Sequence, residues 1–155
     1  MPNLKRNQIL HSRFCLHEMI GEGGMGQVWL VWDLELEIQV AIKILNPQLT
    51  SNPDSVNLLK NECRNTRRLV HPNIVRIFDF HRFKDLAFIS MEYIDGRDLT
   101  TYRSQFEHIN PIEIIKLIEP VISALDYAHD LGLVHRDLKA SNILLDRQKT
   151  PRLTD

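Results

Sequence analysis

The chain has 155 residues, of which 43% are hydrophobic and 25% charged, a composition typical of a soluble globular protein rather than a disordered or fibrous one. Its 19 Lys and Arg residues nearly balance its 20 Asp and Glu residues, so the net charge of -1 gives no overall field that would attract nucleic acid or an anionic membrane. Cys15 and Cys63 lie in no CxxC or Cys/His cluster, and no apolar run has the length of a signal peptide or a membrane span, so we expect a reduced, cytoplasmic protein.

The first half of the chain reads as a sheet with one helix. Short runs of β-branched and aromatic residues predict three strands, Phe14–Ile20, Gln27–Asp33 and Ile38–Leu45. Asn52 as N-cap and Pro53 as first residue predict a helix that ends near His71. Two further strands are expected, Ile74–Phe80 and Leu86–Met91. These elements form a unit of five strands and one helix.

The second half is mainly helical. A short helix is predicted over Asp98–Phe106, and Asn110 caps a longer helix with apolar residues at helical spacing. Pro120 lies inside this longer helix and is expected to bend or split it. From Leu133 onward, short strand-like pieces flank a polar loop, so the class is α+β.

Glycines at positions 21, 23 and 26, followed by Val28, give the pattern GxGxxGxV. Without side chains, backbone N–H groups can approach phosphates closely. A dinucleotide-binding dehydrogenase uses similar glycines, but it runs from a strand into a helix, whereas here Val28–Trp32 continues as strand. The glycines therefore close a hairpin, and a plain tight turn is the alternative interpretation.

Lys43 ends the sequence VAIK at an otherwise apolar strand position, where a lysine is costly to bury without a counter-charge. Glu62 lies on the following predicted helix, on the face of Leu59 and Thr66, and can reach back to that lysine. The alternative is a pair of unrelated surface charges.

The segment His135–Asn142 reads HRDLKASN and follows an apolar stretch. Asp137 can accept the proton of an incoming hydroxyl, Lys139 can offset phosphate charge, and Asn142 can bind Mg²⁺. A solvated charged turn is the alternative.

The ordered set GEGGMGQV, VAIK, Glu62, HPNIV, MEYIDG and HRDLKASN resembles the protein kinase family from about Phe14 onward. The glycine loop is similar to that of bacterial members, and Lys139 after Asp137 is typical of the Ser/Thr branch. The resemblance implies two lobes: a complete N-terminal lobe with a five-stranded antiparallel sheet and one helix, and a partial, mainly helical C-terminal lobe. Residues 1–13 are then an extension, 14–94 the N-terminal lobe and hinge, and 95–155 the partial C-terminal lobe.

The same resemblance implies a nucleotide site built from the glycine loop, the third strand, the hinge and the polar loop. Its residues are Ile20, Gly21, Glu22, Gly23, Gly24, Met25, Gly26, Val28, Ala41, Lys43, Met91, Glu92, Ile94 and Asn142. Residues 21–28 cover the phosphates, and Lys43, paired with Glu62, holds the α- and β-phosphates.

For the adenine, the resemblance implies a sandwich between Ala41 and Val28, with Met91 as gatekeeper. The resemblance also implies that backbone groups of Glu92 and Ile94 form hydrogen bonds with the edge of the adenine ring.

For catalysis, the resemblance implies Asp137 as the base, with Lys139, Lys43 and Glu62 in support. Asn142 and Asp155 bind Mg²⁺, because Asp155 matches the metal-binding Asp of the DFG motif.

Two departures from the family pattern stand out. Ala140 occupies a position where the family usually has proline, which loosens the loop slightly. The sequence stops at Asp155, so we expect a kinase that phosphorylates protein Ser or Thr with ATP and Mg²⁺ but is incomplete for catalysis as it stands. The alternative is a truncated, non-catalytic remnant that binds nucleotide or a partner.

Overall fold

The structure is a computed structural model that describes residues 3–108 and 110–154. It divides into two compact units. The N-terminal unit comprises the residues up to Arg68 together with Ile77–Tyr93, and the C-terminal unit comprises Leu69–Arg76 and the residues from Ile94 on.

The N-terminal unit contains a six-stranded antiparallel sheet in the order β1-β2-β3-β4-β6-β5. Its strands are β1 Ile9–Leu10, β2 Phe14–Gly23, β3 Gly26–Asp33, β4 Ile38–Leu45, β5 Ile77–Phe83 and β6 Leu86–Glu92. The five predicted strands are present, and β1 is additional. A strand of two residues is too short for alternation to reveal it.

The strand predicted over Ile74–Phe80 begins and ends three residues later than expected. Ile74 and Val75 are buried in the C-terminal unit, where Ile74 forms a parallel bridge with Leu153. The strand continues to Phe83 because the turn to β6 is confined to two residues, with Lys84 at φ 54°. The apolar run at 74–75 therefore serves the other unit's core.

One face of the sheet carries the core of the N-terminal unit. Alternate residues of β4 point to this face, as do aromatic residues of neighbouring strands. The fully buried members include Val40, Ile42, Ile44, Phe14 and Phe88. Each such side chain contributes roughly 1.5–3 kcal/mol when removed from water.

Two helices of the N-terminal unit begin with the same dipeptide, Asn-Pro. The side chain of Asn46 caps α1, Pro47–Thr50, and that of Asn52 caps α2, Pro53–Thr66. The predicted cap of α2 is confirmed, but its predicted end near His71 is wrong. The helix stops at Thr66, and the segment Leu69–Arg76 joins the C-terminal unit.

The C-terminal unit packs helices on a three-stranded sheet. Its elements are β7 Gly96–Asp98, α3 Leu99–Arg103, α4 Pro111–Asp130, β8 Ile143–Asp146 and β9 Pro151–Leu153. The sheet order is β7-β8-β9, and its core joins Tyr102, Leu117 and Val121 to strand residues such as Leu145. No helix in the described ranges is both long and apolar enough to span a membrane.

Helix α4 runs unbroken through Pro120, so of the two predicted effects, a bend or a split, the split did not occur. A proline removes one backbone hydrogen bond and crowds the preceding turn. Buried Leu117, Val121 and Ala124 surround it on the helix, and their burial offsets that cost.

Candidate functional site

The glycine motif forms the hairpin between β2 and β3. Gly21 pairs with Val28 and Gly23 with Gly26, and the turn consists of Gly24 and Met25. At its tip, a Cβ atom added to Gly23 or Gly24 would meet nothing within 4 Å. The predicted hairpin, as opposed to a strand-to-helix turn, is therefore what the chain forms.

Gly26, in contrast to Gly23 and Gly24, has no room for a side chain. Its φ is +147°, and a Cβ atom there would lie 1.8 Å from the carbonyl oxygen of Ile44 on β4. Only glycine fits such a close backbone approach. The strand residue that follows the turn is thus packed against β4, while the exposed turn itself leaves backbone accessible to a ligand.

Four predicted nucleotide residues share one face of the sheet. Val28 pairs with Lys43, and Ala41 pairs with Met91. Directly paired residues lie on the same face, and so do residues two apart on β4. Ala41 and Met91 are buried, and Val28 and Lys43 are half-buried. This face is opposite the one that carries the buried core residue Ile42. It presents an apolar surface of Val28, Ala41 and Met91 next to Lys43.

Glu62 lies on α2 with an exposed side chain, and the buried residues of that helix are Val56 and Cys63. The ion pairs found within residues 3–108 and 110–154 do not join Glu62 to Lys43. Their pairing stays a prediction.

Other residues predicted to bind nucleotide lie in the hairpin, or at and just after the end of β6. Ile20, Glu22 and Met25 lie in or beside the hairpin and are exposed. Glu92 ends β6, Ile94 follows two residues later, and both are half-buried. Their predicted roles rest on the resemblance.

The HRDLKASN segment forms a compact loop held by its own polar groups. Asn142, which is buried, donates from Nδ2 to the backbone oxygen of Asp137 at 2.9 Å and to its carboxylate at 3.2 Å. Lys139 Nζ lies 2.7 Å from the same carboxylate oxygen. The structure therefore brings together Asp137, Lys139 and Asn142.

His135 also fixes this loop, a role that the sequence pattern did not suggest. Its Nδ1 accepts from the Asp137 amide at 3.3 Å, and its Nε2 lies 3.1 Å from the Thr154 carbonyl oxygen. A carbonyl oxygen only accepts, so these contacts assign the proton to Nε2. Arg136, at φ 63°, makes the turn between His135 and Asp137.

The hydrogen bond from Lys139 is the main cause that lowers the pKa of Asp137; desolvation opposes it, and the hydrogen bond from Asn142 lowers the pKa further. The Asp137 side chain is 50% exposed. At neutral pH it is an accessible carboxylate, which can accept a proton or a hydrogen bond.

Asn142 also fits the predicted metal site. Because its Nδ2 is directed at Asp137, the amide oxygen, a ligand type that Mg²⁺ prefers, is left on the other side of the group. The Thr154 amide donates to the Asn142 backbone oxygen at 2.9 Å, which fixes the end of the segment that leads to residue 155. Asp155, the second predicted ligand, lies outside the described residues.

Comparison with known proteins gives one consistent result. The family model described as "Protein kinase domain" matches residues 14–155. The chain is 35% identical over 146 residues to the serine/threonine-protein kinase PrkC of Bacillus subtilis, covering 94% of this chain and 22% of that protein. It is 36% identical over 138 residues to the serine/threonine-protein kinase pkn3 of Myxococcus xanthus, covering 88% of this chain and 25% of that protein. The chain thus spans about a quarter of the length of these curated relatives.

Among solved structures, the PknI kinase domain of Mycobacterium tuberculosis is similar, with a TM-score of 0.84 and 30% sequence identity. The match covers 98% of this chain and 62% of that one. The predicted fold class is thereby confirmed, apart from the additional strand β1.

Proposed function

Because this chain belongs to the protein kinase family, we propose that it supplies the ATP- and Mg²⁺-binding part of an enzyme that phosphorylates Ser or Thr in proteins. The observation that carries this proposal is the catalytic loop, in which an exposed, ionised Asp137 is held by Lys139 and Asn142. Residues 14–94 and 95–155 would form the two lobes, with residues 1–13 as an extension that contributes β1.

In the proposed reaction, a substrate hydroxyl oxygen forms a bond to the γ-phosphorus of ATP, and the bond from that phosphorus to the β,γ-bridging oxygen breaks to release ADP. Mg²⁺, when bound, neutralises charge on the phosphates. Asp137 orients the hydroxyl and accepts its proton. Lys139 lies beside that carboxylate and is placed to offset negative charge on the phosphoryl group being transferred.

The nucleotide part of the proposal rests on the N-terminal unit. The open tip of the hairpin allows backbone N–H groups to approach phosphates, and Lys43 supplies a cation on the sheet face that carries Ala41 and Val28. That apolar face suits a flat adenine ring. Glu62 is proposed to pair with Lys43 when nucleotide is bound.

A second candidate function is a non-catalytic module that binds nucleotide or a partner. It is favoured by exposed apolar side chains on α4, where Ile112, Ile115 and Ile122 are 61%, 64% and 53% exposed. Exposed apolar patches of this kind favour association.

Two measurements separate the candidates. A rise of the thermal unfolding midpoint with Mg-ATP, together with transfer of labelled γ-phosphate to Ser/Thr peptides, supports the kinase. In a protein that also contains the rest of the kinase domain, a rise without transfer supports the non-catalytic module. No rise at saturating Mg-ATP contradicts nucleotide binding by this chain.

A further inference from the structure

Asn46 is the first residue after β4, and it contacts both residues at the tip of the glycine hairpin. Its backbone amide donates to the Met25 carbonyl oxygen at 3.0 Å, and its Nδ2 donates to the Gly24 carbonyl oxygen at 3.4 Å. Asn46, more than 20 positions further along the chain, thus donates hydrogen bonds to both carbonyl oxygens of the turn. The 3.4 Å contact is the weaker of the two.

The same side chain is itself held in place. Asn46 Oδ1 accepts from the Gln48 amide at 3.1 Å, which caps α1, and Pro47 restricts the backbone that follows. Gly26, which directly follows the turn, lies against the carbonyl oxygen of Ile44, so the hairpin is also fixed to the end of β4. The tip therefore has a fixed support although Met25 and Gly24 are exposed.

We propose that Asn46 is a positioning residue that holds the tip of the glycine hairpin in the orientation that receives phosphate. This inference rests on the proposed binding of ATP. Carbonyl oxygens repel a phosphate, whereas backbone N–H groups attract it. By donating to the carbonyls of Gly24 and Met25, Asn46 directs them toward itself, and the turn meets an anion without first having to reorient.

Three substitutions separate the contacts of Asn46. Asn46→Ser keeps a capping oxygen and the backbone amide but removes the donor to Gly24. Asn46→Ala also removes the cap. Asn46→Pro removes the amide to Met25 as well, and it suits the local backbone, because Asn46 has φ -59° and the preceding Leu45 is in a strand. Asn52→Ala is the matched control, since Asn52 also precedes a proline and caps a helix through its side chain.

The first measurement is amide hydrogen exchange of the peptide covering residues 18–28, without nucleotide. We expect exchange at the tip to be about two- to tenfold faster in Asn46→Pro, the change that loss of one backbone hydrogen bond produces, and less affected in Asn46→Ser. Asn52→Ala should leave it unchanged. Equal exchange in all variants, or an equal effect of Asn52→Ala, overturns the tether.

The second measurement is the affinity of the same variants for Mg-ATP and for adenosine by calorimetry. We expect Mg-ATP to bind Asn46→Pro about two- to tenfold more weakly, while adenosine, which has no phosphate, binds all variants equally. A general structural defect would weaken both ligands alike and would overturn the positioning role. If Asn46→Pro does not fold, Asn46→Ser must show a smaller loss confined to Mg-ATP.

The outcome for the unsubstituted chain keeps the two proposals apart. If it binds Mg-ATP and the Asn46 variants bind equally well, only the inference on Asn46 is wrong. If it does not bind Mg-ATP, the proposed nucleotide site of this chain fails, and the role of Asn46 toward phosphate fails with it. The exchange experiment then still reports on the tether itself.

Discussion

The end of β3 and the HRDLKASN loop both hold an aspartate beside a cation, but they bury it to different extents. Asp33 accepts two hydrogen bonds from Arg13, at 2.9 and 2.7 Å, and further ones from the amides of Glu35 and Leu36. Its side chain is 2% exposed, whereas that of Asp137 is 50% exposed.

Both aspartates have a lowered pKa, for different balances of causes. For Asp33, desolvation is the largest influence and opposes ionisation, and the hydrogen bonds from Arg13 and the two amides together outweigh it. For Asp137, the hydrogen bond from Lys139 dominates. A low pKa alone therefore does not mark a functional carboxylate. Exposure distinguishes the group that can meet a substrate from the group that holds the fold.

The largest effect is expected for Asp137→Asn on phosphoryl transfer by a complete kinase domain that contains this chain. The amide can keep the contacts to Lys139 and Asn142 but cannot accept the proton, so we expect a loss of about 10²- to 10⁴-fold in rate. The measurement is transfer of labelled γ-phosphate, with Mg-ATP affinity as the control that should change little. Transfer at the original rate would remove Asp137 from the role of base.

The next effect is expected for Asp33→Asn, and it concerns stability. The substitution removes the charge-assisted hydrogen bonds to Arg13, and we expect a loss of about 2 kcal/mol in the free energy of unfolding. A loss of that size lowers the midpoint by about 4–8 °C in a chain of this length. Both tryptophans, Trp29 and Trp32, lie in β3, so their fluorescence reports on this unit. An unchanged midpoint would show that burial of Asp33 carries no such energy.

The pH dependence of the free energy of unfolding tests the contribution of the buried Asp33. Because folding lowers the pKa of Asp33, the unfolded chain binds its proton first, and the stabilisation is complete above the ordinary value of 3.8. It is lost as pH falls through the folded pKa. The stability difference between the unsubstituted chain and Asp33→Asn should therefore be constant from pH 7 to about 4.5 and shrink below that. Urea unfolding measures it, and a difference that grows toward acid pH would reverse the assigned sign.

The sequence predicted regular features well where a local pattern carries them. Short runs of β-branched and aromatic residues revealed the strands, glycine spacing revealed the hairpin, and an asparagine before a proline revealed the caps of α2 and α4. Helix α1 has the same Asn-Pro start but is only four residues long, and β1 is shorter still. Such short elements depend on tertiary contacts rather than on periodicity.

Contacts between residues that are distant along the chain were harder to predict. The HRDLKASN motif named Asp137 and Asn142, but not the bond from His135 to Thr154 that fixes the loop. The pairing of Arg13 with Asp33 likewise had no local signal, since the two are 20 positions apart and each precedes ordinary strand or turn residues. Contacts of this kind follow from sheet register, which one sequence does not specify in advance.

The smallest effect is expected for Glu35→Gln. This substitution compares an exposed partner of Arg13 with its buried partner, Asp33. Arg13 lies 3.1 Å from Glu35 and 2.7 Å from Asp33, but the Glu35 side chain is 67% exposed. An exposed ion pair is screened by water and contributes only about 0–1 kcal/mol, so the midpoint should shift by no more than about 4 °C. Fluorescence-monitored unfolding in low and high salt tests this, because any contribution of Glu35 should decrease with added salt. A loss as large as that of Asp33→Asn would mean that charge near Arg13, and not burial of its partner, stabilises this turn.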